Sequence, residues 1–365
     1  MSENPNRPLA ALQTLVRSQF FWGIVAILVL LLLNVIRDPG YLGVRVNPNT
    51  GNLSGNVIDI LRAAAPILMI AVGMVLVIAT SGIDLSVGSV MAVSGAVSME
   101  LLRALNGPNS VGVTIVTVLA ALAVSTLLGL LNGVLVAYVG LQPFITTLVM
   151  MLAGRGLAKV ITNGQNTTGK SESFSWIANG TVVGLPVIFL LAVIVVVLVA
   201  LIVRRTALGL MIESIGINPQ ASRLAGIRPN GLLLTVYGAS GLLAGIAGIF
   251  VTANTMTVDV TRTGNQMELD AILAVVIGGT SLAGGKFAIG GAAVGALLIA
   301  TLDKTVVFLG VPASATPAFK ATVIVVLCLL QSQRVRALFR RRRAQIQAQP
   351  DSVTAVSTEA EGVVR

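Results

Sequence analysis

Long apolar runs separated by short polar stretches constrain this chain more than any other feature. Val111–Tyr138 and Leu185–Val203 each contain no charged residue. Runs of this kind meet the roughly 17–25 residues that a helix needs to cross a hydrocarbon core. Inside lipid a backbone must satisfy its own hydrogen bonds, which leaves helices or a closed barrel. Continuous apolar stretches of this length select helices. Composition agrees, since 55% of the 365 residues are hydrophobic and 10% are charged, against about 25% charged in a soluble domain. The expected fold is an all-α polytopic membrane protein. Histidine is absent and Cys328 is the single cysteine. An intrachain disulfide is therefore excluded, and no His/Cys set is present to hold a metal. No cofactor is implied. The net charge of +10 does not point to nucleic acid, because most of the basic residues flank apolar runs.

The runs predict about ten spans, at Phe20–Ile36, Leu61–Thr80, Val87–Leu105, Val111–Tyr138, Phe144–Ile161, Leu185–Val203, Leu232–Ala253, Leu269–Leu282, Ile289–Val307 and Pro317–Leu330. No short apolar leader with a small-residue cleavage site precedes the first run, so it reads as a retained span. The transmembrane domain is expected over 20–332, after a polar segment at 1–19 and before a tail at 333–365 that starts basic and reads as disordered. Ten crossings put both ends on one side. Arg7, Arg17, Arg204, Arg205, Arg223, Arg228, Lys286 and the C-terminal arginines fall on that side, while Arg37, Arg45, Lys170 and Arg262 fall opposite. The positive-inside rule makes the first side cytoplasmic. No clear internal repeat is visible.

The longest internal polar stretch is Arg204–Pro229, a loop over 204–230. Within it Asn218-Pro219 reads as a helix start, since Asn is a favoured N-cap and Pro suits the first helical position. Gln220–Ala225 then makes about a turn and a half, and Gly226 suits the left-handed position after a helix end. Gly216 and Gly226 are expected to allow tight bends on either side.

A second polar break is Ser81-Gly-Ile-Asp84-Leu-Ser86-Val-Gly-Ser89. Asp84 or Ser86 caps the next helix, or Asp84 faces a wet pathway, because an ionisable group at membrane depth is costly and often functional. Arg155 and Lys159 lie one turn apart in span five, Lys159 near the outer end, where it can snorkel. Arg155 is deeper and pairs with a carboxylate or contacts substrate. Gln142, Phe144 and Thr147, in the stretch before Arg155, are candidates to line a path, although hydroxyls in membranes also join helices. Glu268 and Asp270 open span eight, where acids suit the positive helix end. That span is short and ends at Gly278-Gly279, the kind of glycine-broken segment that lines transport pathways. One motif is rejected. Gly164-Gln-Asn-Thr-Thr-Gly169-Lys170-Ser171 matches the Walker A string, but it lies in a loop between two spans rather than in a βαβ sheet.

Several of these stretches resemble sugar-importing ABC permeases of the ribose, arabinose, xylose and galactofuranose group. They are SGIDLSVGS at Ser81–Ser89, GRGLAKVITNGQ at Gly154–Gln165, RRTALGLMIESIGIN at Arg204–Asn218, ELDAILAVVIGGTSLAGGKF from Glu268, and VIVVLCLLQSQR near the end. They cover most of Leu61–Arg334, and their combination looks most like the galactofuranose-type branch. The resemblance implies a permease subunit in the bacterial inner membrane, with an external sugar-binding protein, a second permease subunit, identical or paralogous, and a cytoplasmic ATPase chain as partners. It also implies that the central loop is a coupling element, carried here by Glu213, Gly216, Asn218, Pro219, Ala221, Arg223 and Gly226. Asp84, Ser86, Gln142, Phe144, Thr147, Arg155, Asp270, Gly278 and Gly279 are the pathway candidates. The competing readings are an ABC permease for a nucleoside or amino acid, an ion-coupled secondary transporter using Asp84, Asp270 or Asp303, and an intramembrane enzyme, for which no catalytic set is visible.

Overall fold

The computed structural model describes residues 19–46, 53–107, 109–312 and 314–331. The expected N-terminal segment, up to residue 18, and the tail at 333–365 lie outside the described residues. The described residues are mainly helical, with three two-stranded pairings as the only sheet among them.

The helices in chain order are α1 (Gln19–Arg37), α2 (Asn56–Ala79), α3 (Val87–Ala104), α4 (Val111–Ala137), α5 (Pro143–Ile161), α6 (Glu172–Asn179), α7 (Val187–Arg205), α8 (Leu208–Ile217), α9 (Pro219–Leu224), α10 (Pro229–Thr255), α11 (Met267–Ile277), α12 (Ile289–Phe308) and α13 (Thr316–Gln331). Seven of them (α2, α3, α4, α5, α7, α10 and α12) are long and apolar enough to cross a membrane. α1, α8 and α13 contain shorter apolar stretches. The chain is an all-α polytopic membrane protein. α13 falls in a second compact unit that begins at Pro317. Within it Thr322 Oγ1 donates back to the Ala318 carbonyl at 2.9 Å, a bond that lets a hydroxyl sit in an apolar helix.

Burial divides the first unit into an interior and a lipid-facing set. The most apolar window of α2 is 83% buried, whereas those of α4 and α7 are 22% buried. α10 packs against α2, α3 and α4, and α12 packs against α1, α2 and α11. Apolar side chains gain little from facing each other rather than lipid, so close backbone approach must drive this packing. α10 supplies it through Gly238, Gly241, Gly245 and Gly248. A Cβ on Gly241 would meet the Gly129 backbone of α4 at 2.8 Å, and one on Gly245 would meet the Ser125 side chain at 2.7 Å. Between helices, Ser94 Oγ of α3 donates to the Gly245 carbonyl at 2.8 Å, and Asn34 Nδ2 of α1 donates to Thr305 Oγ1 of α12 at 2.8 Å.

The connections sort to two ends. At one end lie α8, α9 and the 278–288 loop, with Arg204, Arg205, Arg223, Arg228 and Lys286. At the other end the strands β1 (Thr167–Thr168) and β2 (Thr257–Val258) pair antiparallel, so the loops after α5 and α10 meet there. α6 joins them, with Asn179 Nδ2 donating to the Asn254 carbonyl at 3.3 Å. The Walker-like string lies at this second end. It holds β1, and its Ser171 caps α6 by accepting from Phe174 N at 3.2 Å. A two-residue strand paired with a loop is not the βαβ frame that a phosphate loop needs.

Candidate functional site

Two crossings of the bundle are helical over only part of their length. The first is Thr80–Ser86 followed by α3. It starts at the basic end, where Gly285 N donates to the Ala79 carbonyl at 2.9 Å and Ser81 Oγ lies 2.9 Å from the Gly216 carbonyl. It then folds inward. Asp84 is 1% exposed. Its Oδ1 accepts from Ser86 N at 3.0 Å and from Ser86 Oγ at 2.6 Å, and its Oδ2 accepts from Ser240 Oγ of α10 at 2.7 Å. Ser86 Oγ in turn accepts from Asn132 Nδ2 of α4 at 2.9 Å. Thr147 Oγ1 of α5 donates to the Ile83 carbonyl at 3.0 Å. The break is thus held by three helices. Neither Asp84 nor Ser86 caps α3 with its side chain. The capping expectation is corrected, because the carboxylate is turned toward Ser240 and the Ser86 hydroxyl is already engaged.

The second is the stretch from Met256 to Gln266 followed by α11. A tight turn at its start is organised by Asp259, whose Oδ1 accepts from Thr261 N, Thr261 Oγ1 and Arg262 N at 2.9, 2.7 and 3.0 Å. The chain then passes Gly264, at φ +69°, and reaches α11 with Glu268 and Asp270 in the first turn. There it meets the start of α3, because a Cβ on Gly88 would collide with both the Gly264 carbonyl and Glu268 Oε2. Arg155 Nη1 of α5 donates to the Thr263 carbonyl. Two interrupted crossings therefore touch inside the bundle, and Arg155 and Glu268 flank the contact.

At the basic end the island is more helical than expected, with α8 and α9 both inside it. Asn218 Oδ1 accepts from Gln220 N and Ala221 N, each at 3.0 Å, and Pro219 is the first helical residue. Gly226 has φ +86°. Ile227 N donates to the Ser222 carbonyl and Gly226 N to the Arg223 carbonyl, each at 3.0 Å. That is the Schellman ending, which satisfies carbonyls a short helix would otherwise leave free. Gly216 does not form a bend. It lies within α8, where a Cβ would strike the Ala79 carbonyl and Gly285 N. Its small size seats the island directly on the end of α2. A groove of about 470 Å³ beside α9 is lined by Met211, Ala225, Ile227, Arg228 and Leu232 among others.

The family model described as branched-chain amino acid transport system / permease component matches residues 56–330. The chain belongs to this permease-component family. It is a multi-pass protein of the bacterial inner membrane and a transporter subunit. It is 51% identical to the fructose import permease protein FruF of Bifidobacterium longum (strain NCC 2705) over 348 residues, 93% of this chain and 96% of the relative. It is 42% identical to the galactofuranose transporter permease protein YtfT of Escherichia coli (strain K12) over 88% of this chain and 92% of the relative. It is 40% identical to the ribose import permease protein RbsC of the same strain over 79% and 89%. No solved structure matches it.

The permease brings together some of the residues singled out from sequence and separates others. Asp84, Ser86 and Thr147 all belong to the first break. Arg155 belongs to the second. Gln142 and Phe144 are exposed at the start of α5. Asp270 is buried, at 8% exposure. Gly278 packs on the start of α12, where a Cβ would collide with the Gly291 backbone, and Gly279 ends α11 at φ +93°. In the island, Asn218, Pro219, Ala221, Arg223 and Gly226 are exposed, while Glu213 is half-buried on α8. Sequence reasoning missed Leu224, which is 92% exposed, and Ile217, which is 73% exposed. Their signal was available as large apolar residues inside a polar loop. It also missed Ser240 and Asn132, whose partners are distant in sequence, and it read Glu268 only as a helix-end acid.

Proposed function

We propose that this permease is the membrane subunit of an ATP-binding-cassette importer and carries a monosaccharide handed over by an external binding protein. Two permease subunits line the path, and a separate cytoplasmic ATPase chain supplies the energy. The observation that carries the reading is the extent of the match to relatives named as fructose, galactofuranose and ribose permeases, each over most of its own length. The geometry supports it with a mechanical route. α9 offers a capped, exposed helix with Leu224 and Ile217 projecting beside it. α8 rests on Ala79 through Gly216, and Ser81 ties that contact to the break holding Asp84. A push on α9 would reach the interior through packed backbone.

The test is reconstitution of the permease with an ATPase chain and a sugar-binding protein from the same organism. ATP-driven uptake of D-fructose, D-galactose or D-ribose into liposomes is expected. The family description itself favours a second reading, a branched-chain amino acid as cargo. Uptake of L-leucine with no uptake of the three sugars would select that reading.

A further inference from the structure

We propose that Glu268 and Arg155 form the sugar-hydroxyl clamp of the pathway, at the contact between the two interrupted crossings. The inference rests on the sugar reading and deepens it. Glu268 Oε2 is buried and has no hydrogen-bond partner. A carboxylate oxygen left in that condition costs about 1–3 kcal/mol or more, so its retention calls for a donor that arrives in the working cycle. Arg155, on α5, is half-buried and spends one N–H on the Thr263 carbonyl. A guanidinium carries five N–H donors in a fixed fork, so it has donors to spare. Arg155 holds the Thr263 carbonyl, and Glu268 Oε2 crowds Gly88 beside the Gly264 carbonyl, so both groups sit at the same short stretch of chain. An acceptor oxygen without a donor and a guanidinium with spare N–H thus flank the Thr263–Gly264 stretch without pairing.

A sugar hydroxyl is both donor and acceptor, and two neighbouring hydroxyls fit such a pair. One donates to Glu268 Oε2 while its neighbour accepts from Arg155. The surroundings suit a neutral polyol better than an ion. The acid and base carry opposite charges, which leaves no net charge to hold an ion. The site is built of parts far apart in sequence that meet only because Gly88 and Gly264 let the two breaks touch. A sugar bound there would contact both breaks, so movement of either would change its hold.

The experiment uses the full complex in liposomes. Uptake of D-fructose, D-galactose and D-ribose and of their monodeoxy analogues is measured at saturating loaded binding protein, so that the affinity of that protein drops out. Glu268→Gln keeps size and shape but turns one acceptor into a donor. Co-purification of the ATPase with the variant reports assembly. The expected result is normal assembly, with sugar uptake reduced about tenfold or more, the scale of one charge-assisted hydrogen bond. The preference for the sugar over at least one deoxy analogue should narrow by a similar factor. An unchanged preference overturns the inference, whether or not uptake falls. Arg155→Lys, which keeps the charge but loses the fork, is the second variant and should narrow the preference too. If neither variant assembles, the pair is structural and the inference fails. If the wild-type complex moves none of the three sugars, the sugar reading falls first and the clamp falls with it.

Discussion

Gly88 and Gly264 lie so close that neither has room for a Cβ against the backbone of the other. One opens α3 and the other precedes α11, so this contact is where the two interrupted crossings lean on each other. Gly264 also needs its φ of +69°, which an L side chain rarely adopts. Gly88 is helical, so its requirement is space alone.

That difference yields a clean test. Gly88→Ala should lower thermal stability of the purified permease by about 1–3 kcal/mol, the usual scale for overpacking, and should lower uptake as the crossings are pushed apart. Gly156→Ala is the control, since nothing lies within 4 Å of where its Cβ would be. Equal melting temperatures for the two variants, followed by the fluorescence of a thiol-independent dye, would show that the contact carries no strain.

Asp84 offers a second test, through the number of bonds each change removes. Ser240→Ala removes the donor to the buried Asp84 Oδ2 and should cost about 1–3 kcal/mol. Asp84→Ala strips the acceptor from Ser86 N, Ser86 Oγ and Ser240 Oγ together. It should therefore cost clearly more, and it should reduce the amount of folded permease in the membrane. Size-exclusion recovery after mild heating ranks the two, and the reverse order would mean that the network does not hold the break.

Legibility followed the range of the interactions. Asn218-Pro219 and Gly226 were readable because caps and left-handed glycines act within a few residues. The long crossings were readable because lipid enforces helices. The breaks were readable as polar interruptions, but their contacts were not. Ser240 bonds Asp84 from a helix far along the chain, and nothing local marks that one serine among many. Gly216 was misread for a related reason, because a glycine kept for close packing looks the same in sequence as one kept for a bend. Glu268 was visible as a helix-start acid, and its buried, unpartnered oxygen exists only once α3 lies against it.

The sidedness drawn from the arginines is testable by labelling. Asn218 and Thr168 are both exposed, and they lie at opposite ends of the bundle. Single cysteines at these positions, in a Cys328→Ala background, should react with a membrane-impermeant maleimide from opposite sides, with residue 168 reached from outside intact cells. Reaction of both from outside would sink the ten-crossing arrangement.

The coupling role of α9 gives the last prediction. Leu224 is 92% exposed and Ile217 is 73% exposed, and large apolar residues in a polar loop are a cost unless something covers them. Ala221 and Ala225 keep the rest of the exposed face small, and Arg223 stands beside them to meet an acid. A helix of this length holds together through its caps, so the face can be changed without disturbing the bundle as long as Asn218 and Gly226 remain. Leu224→Asp should leave membrane insertion and thermal stability unchanged within about 0.5 kcal/mol, as expected for an exposed site. It should nevertheless abolish ATPase co-purification and uptake. Ala221→Trp should act in the same direction by overfilling the seat. Asn218→Ala removes the cap, costing about 1 kcal/mol of helix stability, and should weaken association partially. The measurement is ATPase pull-down alongside uptake, with affinity of the binding protein for sugar as the control that none of these changes should move. If Leu224→Asp and Ala221→Trp both assemble and transport like wild type, the ATPase docks elsewhere and the route from α9 to Ser81 carries no coupling.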